Sequence, residues 1–225
     1  MLIFLGPPGS GKGSLSQLFF RREKWQQLST GNLCRQHIIN KTEIGKTIDF
    51  AMKSGKLISD SLIISMVADW LRGNGQKYST IILDGFPRTV EQASALHELL
   101  LQPEFADMKL KVVRVNVSDK AVHERLTGRT ICENNKCQVV YSNHSGSQLG
   151  PVKEMVCDIC SCKLVRRHDD NITAIDERLQ QYHKHENALI AFFNSVGETI
   201  IEINGEEPIE LVYEQVLKNT GIRTS

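Results

Sequence analysis

An α/β fold, a parallel sheet flanked by helices, is what the sequence predicts, and three observations predict it. Short β-branched and aliphatic runs alternate along the chain with stretches of helical periodicity, the pattern of strands joined by helical crossovers. The first such run, Leu2 to Leu5, is apolar throughout rather than alternating, as a strand buried on both faces is. It enters a glycine-rich loop, Gly6-Pro7-Pro8-Gly9-Ser10-Gly11-Lys12-Gly13-Ser14, that precedes a helical pattern.

Taken in order, Leu2 to Leu5 is the first strand and Leu15 to Phe20 the apolar part of the first helix. A short strand follows at Gln26 to Leu28. Gly31 to Asn40, Thr42 to Lys53 and Asp60 to Leu71 read as helices, with Gly55 and Gly73 as stops. Thr80 to Leu83 is a strand ending in Asp84-Gly85, Val90 to Leu101 a helix, and Lys111 to Val117 another strand. Beyond Gly128 the pattern gives way to a polar, cysteine-bearing segment that lasts until about Asp170. Ile175, Leu179, Tyr182, Leu189, Ile190 and Phe193 then repeat at helical spacing, so the core resumes. Thr199 to Ile203 is the last strand, and Pro208 to Leu217, with proline near its first turn, the last helix.

The 225 residues are 40% hydrophobic and 24% charged, enough to bury one sizeable core, and the net charge of +1 offers no field for a nucleic acid. No apolar run approaches the ~18 residues of a membrane span, and the opening Met-Leu-Ile-Phe-Leu-Gly has no room for a secretory leader. The expectation is a cytoplasmic monomer with neither nucleic-acid nor membrane partner. Of the six cysteines, Cys132, Cys137, Cys157, Cys160 and Cys162 crowd one stretch and Cys34 stands apart, which suggests a metal site rather than a disulfide framework.

The loop holds G-x-x-x-x-G-K between a strand and a helix. There its backbone N–H groups can wrap a phosphate while Lys12 reaches the terminal oxygens. A glycine-rich turn with an incidental lysine is the bland alternative. The generic pattern has Ser or Thr directly after the lysine, whereas here Gly13 intervenes and the hydroxyl is Ser14. G-K-G followed by Ser or Thr resembles the loop of the adenylate kinases, a family of nucleoside monophosphate kinases. The resemblance makes Gly9, Ser10, Gly11, Lys12, Gly13, Ser14 and Leu15 a site for ATP.

Further motifs carry the same resemblance in the same order. Ser29-Thr30-Gly31-Asn32-Leu33-Cys34-Arg35 is similar to the family's S-T-G-D-hydrophobic-hydrophobic-R, with Asn32 for the usual acid and Cys34 for an apolar residue. Thr30 reads as a helix N-cap with Arg35 one turn on, and the resemblance has both contact AMP. A capped helix with a solvated arginine is the alternative. Lys56, Leu57 and Ile58 follow Gly55 as in the family's acceptor turn. Leu83-Asp84-Gly85-Phe86-Pro87-Arg88-Thr89 matches its L-D-G-F-P-R-T without substitution. The implied roles are water-mediated contact of Asp84 with Mg²⁺, AMP binding by Gly85, Phe86 and Pro87, and a two-pronged grip of Arg88 on the AMP phosphate. Gln92 would read the adenine edge, though Thr89-x-x-Gln92 is equally a capping box.

Arg125-Leu126-Thr127-Gly128-Arg129 resembles the start of the family's LID, with Arg125 against adenine and Arg129 against phosphate. Cys132-x4-Cys137 and Cys157-x2-Cys160 suit four thiolates around a structural Zn²⁺. The usual first half is C-x2-C, and Cys162 is a competitor for the place of Cys160. Unmetallated thiols or a disulfide are the alternatives. Arg167, in Arg167-His168-Asp169-Asp170, and Arg178 match the pair that embraces the migrating phosphoryl group; simple salt bridging to Asp169 or Asp170 is the other reading. Gly205-Glu206-Glu207-Pro208 resembles the loop whose backbone meets the donor adenine, which puts Glu207 at the ATP site.

The resemblance covers the whole chain. It implies a P-loop NTPase core at residues 1–28, 59–128 and 168–225, an AMP-binding insertion at 29–58 and a zinc-type LID at 129–167. The implied reaction is ATP + AMP = 2 ADP, with Lys12, Asp84, Arg88, Arg129, Arg167 and Arg178 at its centre. A UMP or CMP kinase, a GTP:AMP phosphotransferase and a non-catalytic zinc and nucleotide-binding module remain as rivals.

Overall fold

The computed structural model describes residues 1–53, 58–134, 137–143, 149–167 and 170–222. Five strands form its main sheet: β1 (Leu2–Leu5), β2 (Gln26–Ser29), β3 (Ile81–Asp84), β4 (Lys111–Asn116) and β8 (Ile200–Asn204). All neighbours are parallel, in the order β2-β3-β1-β4-β8. The sheet is therefore of the expected class. The uninterrupted apolar runs have a plain cause, because both faces are covered. Leu2 and Phe4 pack with Leu15, Phe19 and Val216 on one side, whereas Ile3 and Leu5 pack with Val67, Leu96 and Phe193 on the other.

The helices are α1 (Lys12–Glu23), α2 (Thr30–Ile39), α3 (Glu43–Lys53), α4 (Asp60–Asn74), α5 (Val90–Leu100), α6 (Asp119–Thr127), α7 (Ile172–Ser195) and α8 (Ile209–Thr220). The first face of the sheet is closed by α1 and α8, where the Phe19 ring stacks on Trp25 at 4.6 Å and meets Tyr213 at 4.7 Å. The second is closed by α4, α5 and α7. Side-chain caps set several helix starts: Ser59 accepts from Leu62 N, Ser118 from Ala121 N and Asn171 from Ala174 N. Among the described residues no helix is long and apolar enough to cross a membrane.

This strand order places the site. The chain runs from β1 outward to β2, returns to β3 beside β1, then crosses to β4 on the other flank of β1. Connections leave β1 and its neighbours in opposite directions there, and the crevice at the carboxyl ends of such strands is where ligands gather in open α/β sheets. Residues 6–11 and Asp84 to Arg88 both lie at those ends.

The polar segment is more regular than its sequence suggests. β5 (Arg129–Cys132) pairs antiparallel with β6 (Val140–Ser142) and with β7 (Leu164–Val165), giving a second, three-stranded sheet. Its small interior is Cys132, Tyr141, Cys157 and Leu164.

Candidate active site

The loop after β1 turns on glycines. Gly9 has φ +79°, and a Cβ built on it would lie 2.8 Å from Leu126 Cγ, so a side chain would meet both backbone strain and α6. α1 then begins at Lys12 with no side-chain cap at Gly11, and its dipole points into the loop. Lys12 Nζ donates to the carbonyls of Gly6 (2.8 Å) and Pro7 (2.7 Å) and to Ser10 Oγ (2.9 Å). Burial draws its ammonium down to about 8; Asp84 opposes that shift, and Arg88, Arg178 and Arg129 add to it. Four charged side chains, from β3 and its following turn, β5 and α7, thus act on Lys12.

Asp84 ends β3, level with Phe4 of β1 and Ser29 of β2. Its Oδ2 accepts from Gln27 Nε2 at 2.9 Å, and a Cβ on Gly13 would stand 3.5 Å from the same oxygen. The carboxylate therefore faces the residue that departs from the generic phosphate-loop pattern. Ser14 is half-buried in the first turn of α1.

At Gly85, φ is +77° and the carbonyl turns toward two donors, Thr30 Oγ1 at 3.0 Å and Arg88 Nε at 2.8 Å. Thr30 is not the N-cap that the sequence suggested. Ser29 holds that position, accepting from Asn32 N at 3.5 Å, and Thr30 enters the first turn of α2 with its hydroxyl committed to Gly85. Both Ser29 and Thr30 are good caps, and the strand pairing of Ser29 with Asp84 decides between them. Arg35 donates to the side chain of Asn32. A neutral amide here orients the guanidinium without neutralising it, as the family's acid would. Cys34 is buried among Ile48 and Met66, with Ile58 packed against that cluster. Lys56 and Leu57 lie outside the described residues.

Gln92 is 4% exposed and its side chain is held at both ends of the amide. Oε1 accepts from Arg88 N at 2.9 Å and Nε2 donates to Asp60 Oδ1 at 2.7 Å, while Thr89 Oγ1 accepts from Gln92 N at 3.2 Å. The capping reading is thus realised in altered form, with the donor one residue before the cap. Asp60 was not singled out in the sequence.

Arg125, from the last turn of α6, spans two loops, donating to Gly205 O at 2.8 Å and Ser10 O at 3.4 Å. Burial lowers its guanidinium from the usual range, against the pull of Glu206. Glu207 faces α8, accepting from Gln215 Nε2, so the main chain of Gly205 is what meets Arg125. Arg129 donates through Nε (2.7 Å) and Nη2 to the two oxygens of Asp170, whose side chain is 3% exposed; Arg178 Nη1 stands 3.5 Å from the same carboxylate. Arg167 is half-buried two residues after β7, and Asp169 lies outside the described residues. Asp170 was read in the sequence only as a surface partner for Arg167 or Arg178. Its role as the shared anchor of Arg129 and Arg178 joins positions 41 residues apart, with no local signal to mark it.

The sulfurs of Cys132, Cys137, Cys157 and Cys160 all lie within 4.8 Å of one another, the pairs 132–160 at 3.3 Å and 137–157 at 3.6 Å. A tetrahedral zinc with ~2.3 Å bonds sets its sulfurs about 3.8 Å apart, so the donor set fits that ion. Within the wider C-x4-C spacing, Cys137 N and Gln138 N both donate to Asn134 O. Cys162 stays outside the group, its carbonyl accepting from Cys157 N at 2.8 Å. Tyr141 Oη donates to Cys157 Sγ and accepts from Asp158 N, an outer contact of the kind that orients a metal ligand.

Comparison with known proteins points to one family. A family model described as adenylate kinase matches residues 4–198. Adenylate kinase of Caldicellulosiruptor bescii is 36% identical over 98% of this chain and 99% of its own length. The adenylate kinase of Borrelia garinii is 32% identical, over 96% of both chains, and that of Methanothrix thermoacetophila 34%, again over 96% of both.

Proposed function

Because the chain belongs to the adenylate kinase family, we propose that its cleft holds ATP and AMP end to end, with the arginines and Lys12 gathered around the phosphoryl group between them. The protein is a phosphotransferase that converts ATP and AMP into two ADP. The observation that carries the assignment of residues is the electrostatic grouping of Lys12 with Asp84, Arg88, Arg129 and Arg178 at the carboxyl end of the sheet.

The loop N–H groups and Lys12 bind the β and γ phosphates of ATP. Arg125 lies along the adenine, beside the main chain of Gly205. Arg88 takes the AMP phosphate, next to Thr30 and Arg35, and Gln92 faces the AMP base. Arg129, Arg167 and Arg178 surround the group in transit. Adenylate kinases use Mg²⁺ with ATP, and the ion spreads the negative charge of the polyphosphate. Asp84 and the hydroxyl of Ser14 are hard oxygen donors of the kind Mg²⁺ accepts, and Asp84 faces the loop at Gly13. The AMP phosphate is already anionic at neutral pH, so attack needs no general base. Rate acceleration comes from alignment and from fixed positive charge that tracks the migrating oxygens. Residues 29–58 and 129–167 act as flaps whose closure keeps water from the γ-phosphate. Zinc at the four cysteines stands in for the apolar core that the second sheet lacks. The protein works as a cytoplasmic monomer.

ADP formation from ATP, AMP and Mg²⁺ tests this, with GTP, UMP and CMP in parallel. Lys12→Ala is expected to lower kcat roughly 10² to 10³-fold, as loss of one fixed donor to a developing charge does. Absence of ADP, or a Lys12→Ala protein as fast as its parent, refutes the assignment.

A further inference from the structure

Buried amide side chains are ambiguous because the oxygen and the NH₂ group can exchange places by a half-turn, and each orientation offers the opposite hydrogen-bond pattern. For Gln92 the surroundings allow only one. Its Oε1 meets a backbone N–H, that of Arg88, and its Nε2 meets a carboxylate oxygen, Asp60 Oδ1, at 2.9 and 2.7 Å. Reversal would set NH₂ against N–H and oxygen against carboxylate. The other oxygen of Asp60 accepts from Thr89 Oγ1 at 2.5 Å, and the hydroxyl of Thr89 in turn accepts from the backbone N–H of Gln92. Asp60 is therefore itself fixed, at the first residue of α4, and ties that helix to the start of α5.

We propose that Asp60 is a positioning residue for acceptor specificity: it locks the Gln92 amide so that its remaining N–H and remaining lone pair face a 6-aminopurine and reject a 6-oxopurine. This rests on the reading that Gln92 faces the base of the acceptor nucleotide. With one N–H and one lone pair used inside the protein, the amide keeps one of each. An adenine edge presents an amino donor beside a ring-nitrogen acceptor, which is the complement of that pair. Hypoxanthine places a carbonyl where adenine has its amino group and a protonated nitrogen where adenine has an acceptor. It matches the reversed amide instead. A glutamine free to turn would serve both bases; one held by Asp60 serves one.

A carboxylate is the side chain this lock requires. It has no donor to offer, whereas an asparagine at position 60 presents either an oxygen or an NH₂ group and leaves the Arg88 N–H as the remaining contact that discriminates between the two orientations of Gln92.

The test compares AMP with IMP as acceptor at saturating MgATP, for the parent, Asp60→Asn, Asp60→Ala and Gln92→Ala. In both Asp60 variants the KM for AMP is expected to rise about tenfold, with the KM for ATP within twofold of the parent. The ratio of kcat/KM for AMP over IMP is expected to fall at least tenfold. Asp60→Asn keeps size and one acceptor, so it remains folded if Asp60→Ala does not, and thermal melting of each variant checks this. A general structural role would lower kcat on both acceptors together and leave the ratio alone. An unchanged ratio in Asp60→Asn, with a reduced ratio in Gln92→Ala, overturns the proposal and leaves the role of Gln92 standing. An unchanged ratio in Gln92→Ala removes the reading on which the proposal rests.

Discussion

Asp170 is the position where one atom's worth of chemistry should move both stability and rate. Its carboxylate is 3% exposed and receives two bonds from Arg129, whose side chain is 14% exposed, with Arg178 at 3.5 Å. Asp170→Ala leaves a largely buried guanidinium facing a void. Breaking such a pair costs about 3–5 kcal/mol, and because Arg129 keeps some access to water the lower end, about 3 kcal/mol, is the better figure. For a domain of this size each kcal/mol moves Tm by about 2–4 °C, so a fall of roughly 6–12 °C is expected in thermal unfolding followed by circular dichroism. The same loss unmoors the two arginines assigned to the transferring phosphoryl group, and a misplacement of ~1 Å in such a group costs about 100-fold in kcat. Asp170→Asn, which can accept only on one side, should fall between the parent and Asp170→Ala. If Asp170→Ala melts within 2 °C of its parent (the low end of the ~2–4 °C that 1 kcal/mol produces) and retains kcat within about threefold, the carboxylate neither stabilises nor aligns the arginines, and the argument fails.

Three further outcomes are expected. Protein purified under reducing conditions should carry about one zinc per chain; Cys137→Ser should lose it and Cys162→Ser should keep it, read by metal analysis, and the reverse would show that the extended spacing excludes Cys137. Since burial draws Lys12 down to about 8, the cation that grips phosphate is lost from the unliganded protein as pH rises through that value. The measurement is kcat/KM for ATP against pH, which should decline above about pH 8, and a profile flat to beyond pH 9.5 would contradict the burial argument. The linked effect on stability has the opposite sense: the unfolded chain holds this proton up to 10.5, so the folding penalty present below pH 8 is relieved between 8 and 10.5. Phe19→Ala, which removes the ring stacked on Trp25 and tilted against Tyr213, should cost about 3–5 kcal/mol in urea unfolding, and a loss under 1 kcal/mol would mean that the site collapses around the deletion.

Local chemistry decided what could be seen in the sequence. The phosphate loop and Leu83 to Thr89 were legible because each packs its requirements into a few consecutive residues: glycines where the backbone turns, a lysine at the helix start, an acid at a strand end. The parallel sheet was legible because its central strand β1 is apolar at every position and β3 is so up to Asp84, as strands buried on both faces are. The second sheet was not, since β7 has two residues and the hydrophobic content of β5 to β7 is shared with cysteines that a periodicity reading sets aside. Asp60 and Asp170 were missed for a different reason. Each gains its meaning from partners 32 and 41 positions away, and an acid at a helix start looks locally like any other. Thr30 shows a smaller version of the same limit, in that two adjacent residues could cap α2 and only the pairing of β2 with β3 separates them.

The strand order also has a bearing on how the chain is made. β1, the middle of the sheet, is synthesised before its partners across the ladders, Ile82 beside Leu2 and Lys111 on the other flank, which come 80 and 109 residues later. At ~5–20 residues per second, the most apolar tetrapeptide in the chain waits roughly 4–16 s for its first neighbour. Early in that interval α1 covers one face of β1, and the other face waits for α4, which carries Val67 and Leu71. α1, with Leu15 and Phe19 packed in one cluster with Phe4, is thus the earliest cover for one face of that strand.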